Sequence, residues 1–166
     1  MGEIGHTTTT KGNDQELLIK KILIAVDKSE YTDKIIKYGL RLAKSLRAEV
    51  TAVHVIDRSS LGIIGELLAY YRGGKIEVYE EALRKKAKEF LGEAELLAKK
   101  EGVQINTEVI MNEPSAAEGI VNYASRTNMD LVVIGTKGMT GAQKFLMGGV
   151  ANKVASHAHC SVLAVR

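Results

Sequence analysis

Tryptophan is absent from this 166-residue sequence, and six tyrosines with two phenylalanines bring the aromatic share to only 5%. A stacking platform for single-stranded nucleic acid lacks the residue types it needs. Cysteine is almost absent too: Cys160 alone cannot form an internal disulfide, and no Cys/His spacing matches a zinc site, so the expected home is a reducing compartment. No apolar run approaches the roughly 20 residues that span a bilayer. The N-terminus lacks the basic start and apolar stretch of a signal peptide, and Met1-Gly2 is followed at the sixth position by His6, where a myristoylation signal needs Ser or Thr. The expectation is a cytoplasmic chain without membrane attachment. An excess of one charge is also missing: Lys+Arg total 23 against Asp+Glu 20, and the net +3 is spread along the chain, which argues against a nucleic-acid partner. With 45% hydrophobic and 26% charged residues, the balance is that of one ordinary globular domain.

Residues 1–18 are mostly polar, Thr- and Gly-rich and without period, and read as a flexible N-terminal tail ahead of a domain at 19–166. From Lys21 onward, short β-branched runs alternate with longer helical periods. Strands are expected at 21–26 (KILIAV), 49–55 (EVTAVHV), 104–110, 131–134 (LVVI) and 161–165 (SVLAV). Helices are expected over 31–46, over about 76–101 up to Gly102, from Pro114-Ser115 to about Arg126, and over about 149–157. Five strands alternating with four helices predict an open, mostly parallel α/β sheet covered on both faces, with right-handed crossovers. Ligands of such sheets bind outside the carboxyl ends of the strands, where the strand order reverses. A site is expected after Val26, Val55 and Ile134.

Five of the sixteen glycines (Gly135, Gly138, Gly141, Gly148 and Gly149) fall between positions 135 and 149. The connection 135–147 (GTKGMTGAQKFLM) is longer than the usual 2 to 6 residues between a strand and a helix. Glycines let backbone amides approach an anion, and the helix that follows adds unpaired N–H groups and the positive end of its dipole. Lys137 and Lys144 can add charge. A surface loop, or a turn onto the next helix, is the alternative.

Other phosphate motifs do not fit. Gly74-Lys75 is followed by Ile76 and has Ala69 where a Walker A loop needs its first glycine, and the first strand turns through Asp27-Lys28-Ser29-Glu30 without a Gly-x-Gly. A receiver-type phosphoacceptor needs more acidic residues at the strand ends than Asp27 alone. Asp27 reads as a helix cap or ribose acceptor rather than a general base. His54 reads as a packed strand residue, the His157, His159, Cys160 group as a helix end and turn rather than a metal site, and Arg84-Lys85-Lys86 as a solvated face. The apolar stretch 61–71 (LGIIGELLAYY) beside the second strand is a lid, a partner surface or a docked helix.

Gly135-Thr136-Lys137-Gly138, nine residues, then Gly148-Gly149 resembles the nucleotide motif of the universal stress protein family: Gly, two residues, Gly, nine residues, Gly, then Ser or Thr. ILIAVD ending at Asp27, AEVTAVHVID, DLVVIGTKG and the closing SVLAV extend the resemblance over about 20–166. Gly149 departs from it, standing where the family has Ser or Thr.

The resemblance implies a Rossmann-like fold of the adenine nucleotide alpha hydrolase kind with strand order 3-2-1-4-5. In its ATP-binding members the adenine lies against the first two strands and the phosphates along the glycine loop. Carried over, Ala25 and Val55 would line the adenine pocket, Val55 offering backbone groups to the base. Asp27 would accept from the ribose hydroxyls. Backbone N–H groups of Gly135, Thr136, Lys137, Gly138, Met139, Thr140 and Gly141, and of Gly148, Gly149, Val150 and Ala151, would bind ribose and phosphates. With ATP, a Mg2+ or Mn2+ ion would be held mainly through phosphate oxygens. Losing a hydroxyl at Gly149 makes AMP or ADP a rival to ATP. The family also implies a homodimer through the strand 161–165, an apolar edge that invites pairing. The expected function is a nucleotide-dependent stress-response regulator or sensor. Its alternatives are a nucleotide-free dimeric interaction module or a slow ATPase, against which stands the lack of a His-x-Gly-His motif.

Overall fold

The structure is a computed structural model that describes residues 18–58, 62, 70, 76–137 and 147–166. The tail expected at 1–18 falls outside the described residues but for Leu18, as do most of 61–71, Gly138, Met139, Thr140, Gly141 and Lys144.

In chain order the elements are β1 (Lys21–Ala25), α1 (Thr32–Leu46), β2 (Glu49–Asp57), α2 (Ile76–Glu101), β3 (Asn106–Glu113), α3 (Ala116–Arg126), β4 (Leu131–Gly135), α4 (Gly149–His157) and β5 (Ser161–Val165). All four strand pairings are parallel and the order is β3-β2-β1-β4-β5, as expected. β2 and β3 run past their expected ends at Val55 and Ile110. Val55 pairs with Ile110, Ile56 with Met111 and, after a register irregularity, Asp57 with Glu113. Pairing between neighbours overrides the turn-like look of Met111-Asn112-Glu113.

Alternation along the strands divides the core. Ile22 and Ile24 of β1 face one side, with Ile35, Ile36 and Leu40 of α1 and Ala87, Leu91 and Ala94 of α2. Leu23 and Ala25 face the other, with Ile120, Tyr123 and Ala124 of α3 and Ala151 and Val154 of α4. Gly39 lets α1 sit close on β1: a Cβ there would lie 2.3 Å from Ile24 Cδ1. At the amino edge, Asp130 Oδ2 accepts from the N–H groups of Lys20 and Lys21 at 2.8 and 2.9 Å, fixing β1 beside β4.

β1 leads by α1 to β2 on one side, and β4 leads by α4 to β5 on the other. The chain therefore diverges at the carboxyl ends of β1 and β4, opening a crevice between them. Among the described residues no helix is long and apolar enough to cross a membrane.

Candidate functional site

A cleft fills this crevice. Its floor is Ala25, Val26, Val53 and Ile134, and its walls include Asp27, His54, Val55, Ala116, Ile120, Gly135 and Gly148 to Ala151. A larger hollow lies between α1 and α2, lined by Lys28, Glu30, Asp33, Lys86, Glu89 and Glu93 with Phe90. Size favours the hollow, but four carboxylates and two lysines line it, a wall that suits water better than a small-molecule ligand. The crevice has an apolar floor and unpaired backbone groups at its rim, the usual makeup of a small-molecule site.

One end of the cleft is formed by the glycine-rich segment and the start of α4. The Gly148 N–H donates to the Thr136 carbonyl at 2.8 Å, which brings the two ends of the glycine-rich segment together. A Cβ on Gly148 would lie 3.0 Å from that same oxygen, so any larger residue would push the Thr136 carbonyl back by a few tenths of an ångström. Gly148 then caps α4 without any side-chain hydrogen bond, and the first intrahelical bond is Asn152 N–H to Gly148 O at 2.9 Å. The N–H groups of Gly149, Val150 and Ala151 consequently have no acceptor inside the helix.

The neighbouring α3 offers a contrast. Its Ser115 Oγ accepts from Glu118 N–H at 3.2 Å and donates to Glu118 Oε1 at 2.9 Å, while Asp57 Oδ2 accepts from Ala116 N–H at 3.0 Å. A helix start already served by its own carboxylates has little use for another anion. Of these two helix starts, only the one at α4 has no capping side chain among the described residues.

The other end presents strand edges. Val26 N–H donates to Val53 O at 3.0 Å, but the β1–β2 register stops at Ala25 opposite Val53. Val26 O is taken by His54 Nδ1 at 2.9 Å; since a carbonyl only accepts, Nδ1 carries the proton. Alternation turns the Val55 N–H and C=O toward β1, beyond its end, and among the described residues neither has a partner. His54 is half-buried, its ring edge-on to Phe90 with centroids 5.4 Å apart at 73°.

Asp27 follows β1 directly. Its Oδ1 accepts from Ser29 N–H at 3.1 Å and its backbone carbonyl from Thr32 Oγ1, which fixes the turn into α1. Lys137 leaves the glycine end with Nζ 5.6 Å from the centre of the Tyr31 ring. A hydrogen bond to Glu30, then that carboxylate's charge, then desolvation push the Tyr31 phenol up, so the ring beneath Lys137 stays neutral.

Nine of the residues read from sequence come together here: Ala25, Asp27, Val55, Gly135, Lys137, Gly148, Gly149, Val150 and Ala151. Thr136 contributes backbone that closes the glycine segment instead of lining the cleft. Val26 and Ile134, the strand ends at which a site is expected, also line the cleft, whereas sequence reasoning missed Ile35, Val53, Ala116 and Ile120 and left His54 in the core. Val53 was discoverable, since alternation puts it on the same sheet face as Val55. Ala116 and Ile120 lie one turn apart on α3 and carried no signal beyond helical spacing.

A sequence profile described as the universal stress protein family matches residues 18–166. The chain belongs to the universal stress protein family. Universal stress protein MJ0531 of Methanocaldococcus jannaschii is 37% identical over 152 residues, 91% of this chain and 84% of that one. Universal stress protein YxiE of Bacillus subtilis is 31% identical over 155 residues, 90% of this chain and all of that one.

Among solved structures, protein MJ0577 superimposes with a TM-score of 0.71 at 24% identity, covering 89% of this chain and 96% of its own. A universal stress protein from Archaeoglobus fulgidus in complex with dAMP gives 0.63 at 20%, covering 90% and 99%. One in complex with cAMP gives 0.61 at 21%, covering 90% and 98%. At these identities the likeness is one of fold, shared across the universal stress proteins.

Proposed function

We propose that this universal stress protein binds an adenine nucleotide in the β1/β4 crevice and acts by binding more than by turnover. One observation carries the reading: among the described residues the same cleft has a Val55 N–H and C=O without a partner on one rim and the uncapped start of α4 on the other. The first pair complements an acceptor beside an amino group, as on the pairing edge of adenine. The second suits a phosphate. Between them Asp27 is placed for ribose hydroxyls. That relatives of the same fold were solved with dAMP and with cAMP supports a monophosphate at least.

ATP, ADP and AMP are the candidates, with AMP or ADP favoured by the missing hydroxyl at Gly149. With ATP, a Mg2+ or Mn2+ ion would be held through phosphate oxygens. Of the cleft's described side chains, Asp27, His54 and Lys137 are the ionisable ones, and the first two are already engaged with backbone, which favours binding over hydrolysis.

The edge strand β5 supports a homodimer. It is short, apolar and half-exposed, with Leu163 36% accessible. A cytoplasmic regulator or sensor whose partner choice follows nucleotide occupancy fits these parts.

Isothermal titration with AMP, ADP, ATP and cAMP, with mass spectrometry of any ligand released from the purified protein, tests the reading. Saturable heat and a thermal shift of several degrees at about 100 times Kd are expected. No heat and no shift at millimolar nucleotide overturns it.

A further inference from the structure

The geometry points to His54 as a positioning residue: its bond to Val26 ends the β1–β2 ladder one rung early and keeps the Val55 N–H available to a ligand. In a parallel pair, the rung after Val26 N–H→Val53 O would be Val55 N–H→Val26 O. That rung is missing, and the register ends at Ala25 opposite Val53. In its place His54 Nδ1–H donates to Val26 O at 2.9 Å.

A carbonyl can accept two hydrogen bonds, so occupancy alone does not exclude Val55. The effect is one of direction. The imidazole is wedged between the end of β1 and Phe90, which itself lies under Lys28 with Nζ 5.9 Å from the ring centre. A ring held on the Phe90 side of the sheet turns the Val26 carbonyl toward that side and out of line with the Val55 N–H, while the Val26 N–H keeps its bond to Val53 of β2. Val55 is left with a backbone donor at the rim of the cleft, at no cost of an orphaned Val26 carbonyl. A leucine at this position would pack as well against Phe90 but would let the ladder close by one more bond, converting a recognition group into sheet.

This inference rests on the nucleotide-binding reading for its functional half and stands without it for its structural half. The test uses the full chain with His54→Leu, which keeps the volume and loses the donor, and His54→Asn, whose side-chain amide places an N–H near the position of Nδ1. Two quantities are measured: the hydrogen-exchange rate of the Val55 amide in ligand-free protein by NMR, and the Kd for AMP by calorimetry. In the wild type the Val55 amide is expected to exchange fast for a central strand. His54→Leu should slow it at least about tenfold and weaken AMP about tenfold, the worth of one hydrogen bond, without lowering Tm. His54→Asn should stay within about threefold of wild type in both.

An unchanged Val55 exchange rate and Kd in His54→Leu would overturn the proposal, as would equal losses in Asn and Leu. Should His54→Leu not fold, His54→Met also lacks the donor and is read the same way. If the wild type binds no AMP, the proposed function fails by itself, and the exchange rates still decide whether His54 holds the ladder open.

Discussion

Thr136 and Val165 are tied by one backbone bond, the Thr136 N–H donating to the Val165 carbonyl oxygen at 2.8 Å. The Thr136 carbonyl in turn accepts from Gly148 N–H, so a single residue connects the last strand, the start of the glycine segment and the cap of α4. The same bond fixes which way β5 faces. Val165 turns its N–H and C=O toward β4, and by alternation so do Leu163 and Ser161, while Val162 and Ala164 turn theirs outward.

Proline at Ala164 therefore removes only an outward donor, whereas proline at Leu163 removes one that β4 uses. Ala164→Pro should run as a monomer by light scattering with Tm within a few degrees of wild type, and Leu163→Pro should lose several degrees or fail to fold. A dimeric Ala164→Pro protein would mean that pairing through β5 is not the interface.

Gly135 stands where β4 meets α1. A Cβ there would lie 2.6 Å from Ile35 Cδ1 and 3.2 Å from Lys137 O. Gly135→Ala should cost about 1–3 kcal/mol in urea unfolding through overpacking. Ile35→Val removes the clashing methyl, so the double variant should be more stable than the sum of the single losses by about 1 kcal/mol. Additive losses would place the strain on the backbone instead.

Gly149 differs from Gly148 in having open space around it, and a Cβ on Gly149 would meet nothing within 4 Å. Gly149→Ser thus adds a hydroxyl at the open start of α4 without a clash. AMP or ATP should bind about tenfold tighter, the scale of one hydrogen bond to a charged acceptor. Calorimetry on both proteins measures it, and an unchanged Kd would show that no phosphate reaches this position.

Most of the fold was legible in the sequence because its signals are periodic. The run KILIAV and the steps of three and four along 76–101 belong to elements whose faces are buried on a regular repeat. The far ends of β2 and β3 were not legible, since Asp57 and Glu113 become strand only by pairing with each other across the register shift. In the cleft, the glycines and Asp27 announced themselves by type and spacing. The unpaired edge of Val55 did not: it arises from a bond between His54 and Val26, 28 positions apart, that no local pattern encodes.

Tyr123 gives the fold a pH limit on the alkaline side. Its phenol is pushed up to about 12, by burial first, then by the hydrogen bond to Glu108 at 2.8 Å and that carboxylate's charge, with Arg126 pulling the other way. An unfolded chain releases this proton near pH 10. The contribution is therefore fully present below pH 10 and is lost as pH rises through 12. Because Glu108, the carboxylate that accepts from this hydroxyl, is exposed to solvent, the loss should be about 1 kcal/mol rather than the full two-unit equivalent. Tyr123→Phe has no such proton, so the wild-type advantage over it in chemical unfolding should shrink between pH 9 and 12. A constant difference would refute the assignment.

The long helix α2 spans 26 residues, about 39 Å, against about 30 Å for the nine residues of β2, the longest strand. Among its described side chains the first buried one is Ala87, and none of residues 77–86 is buried. The second half of the helix is anchored on the sheet, while among the described side chains of 77–86 only Leu83 packs against the core, which leaves the first half a loosely held overhang. Fraying, proteolytic nicking and the grip of any partner will be felt first on that overhang, while the anchored half keeps the domain closed.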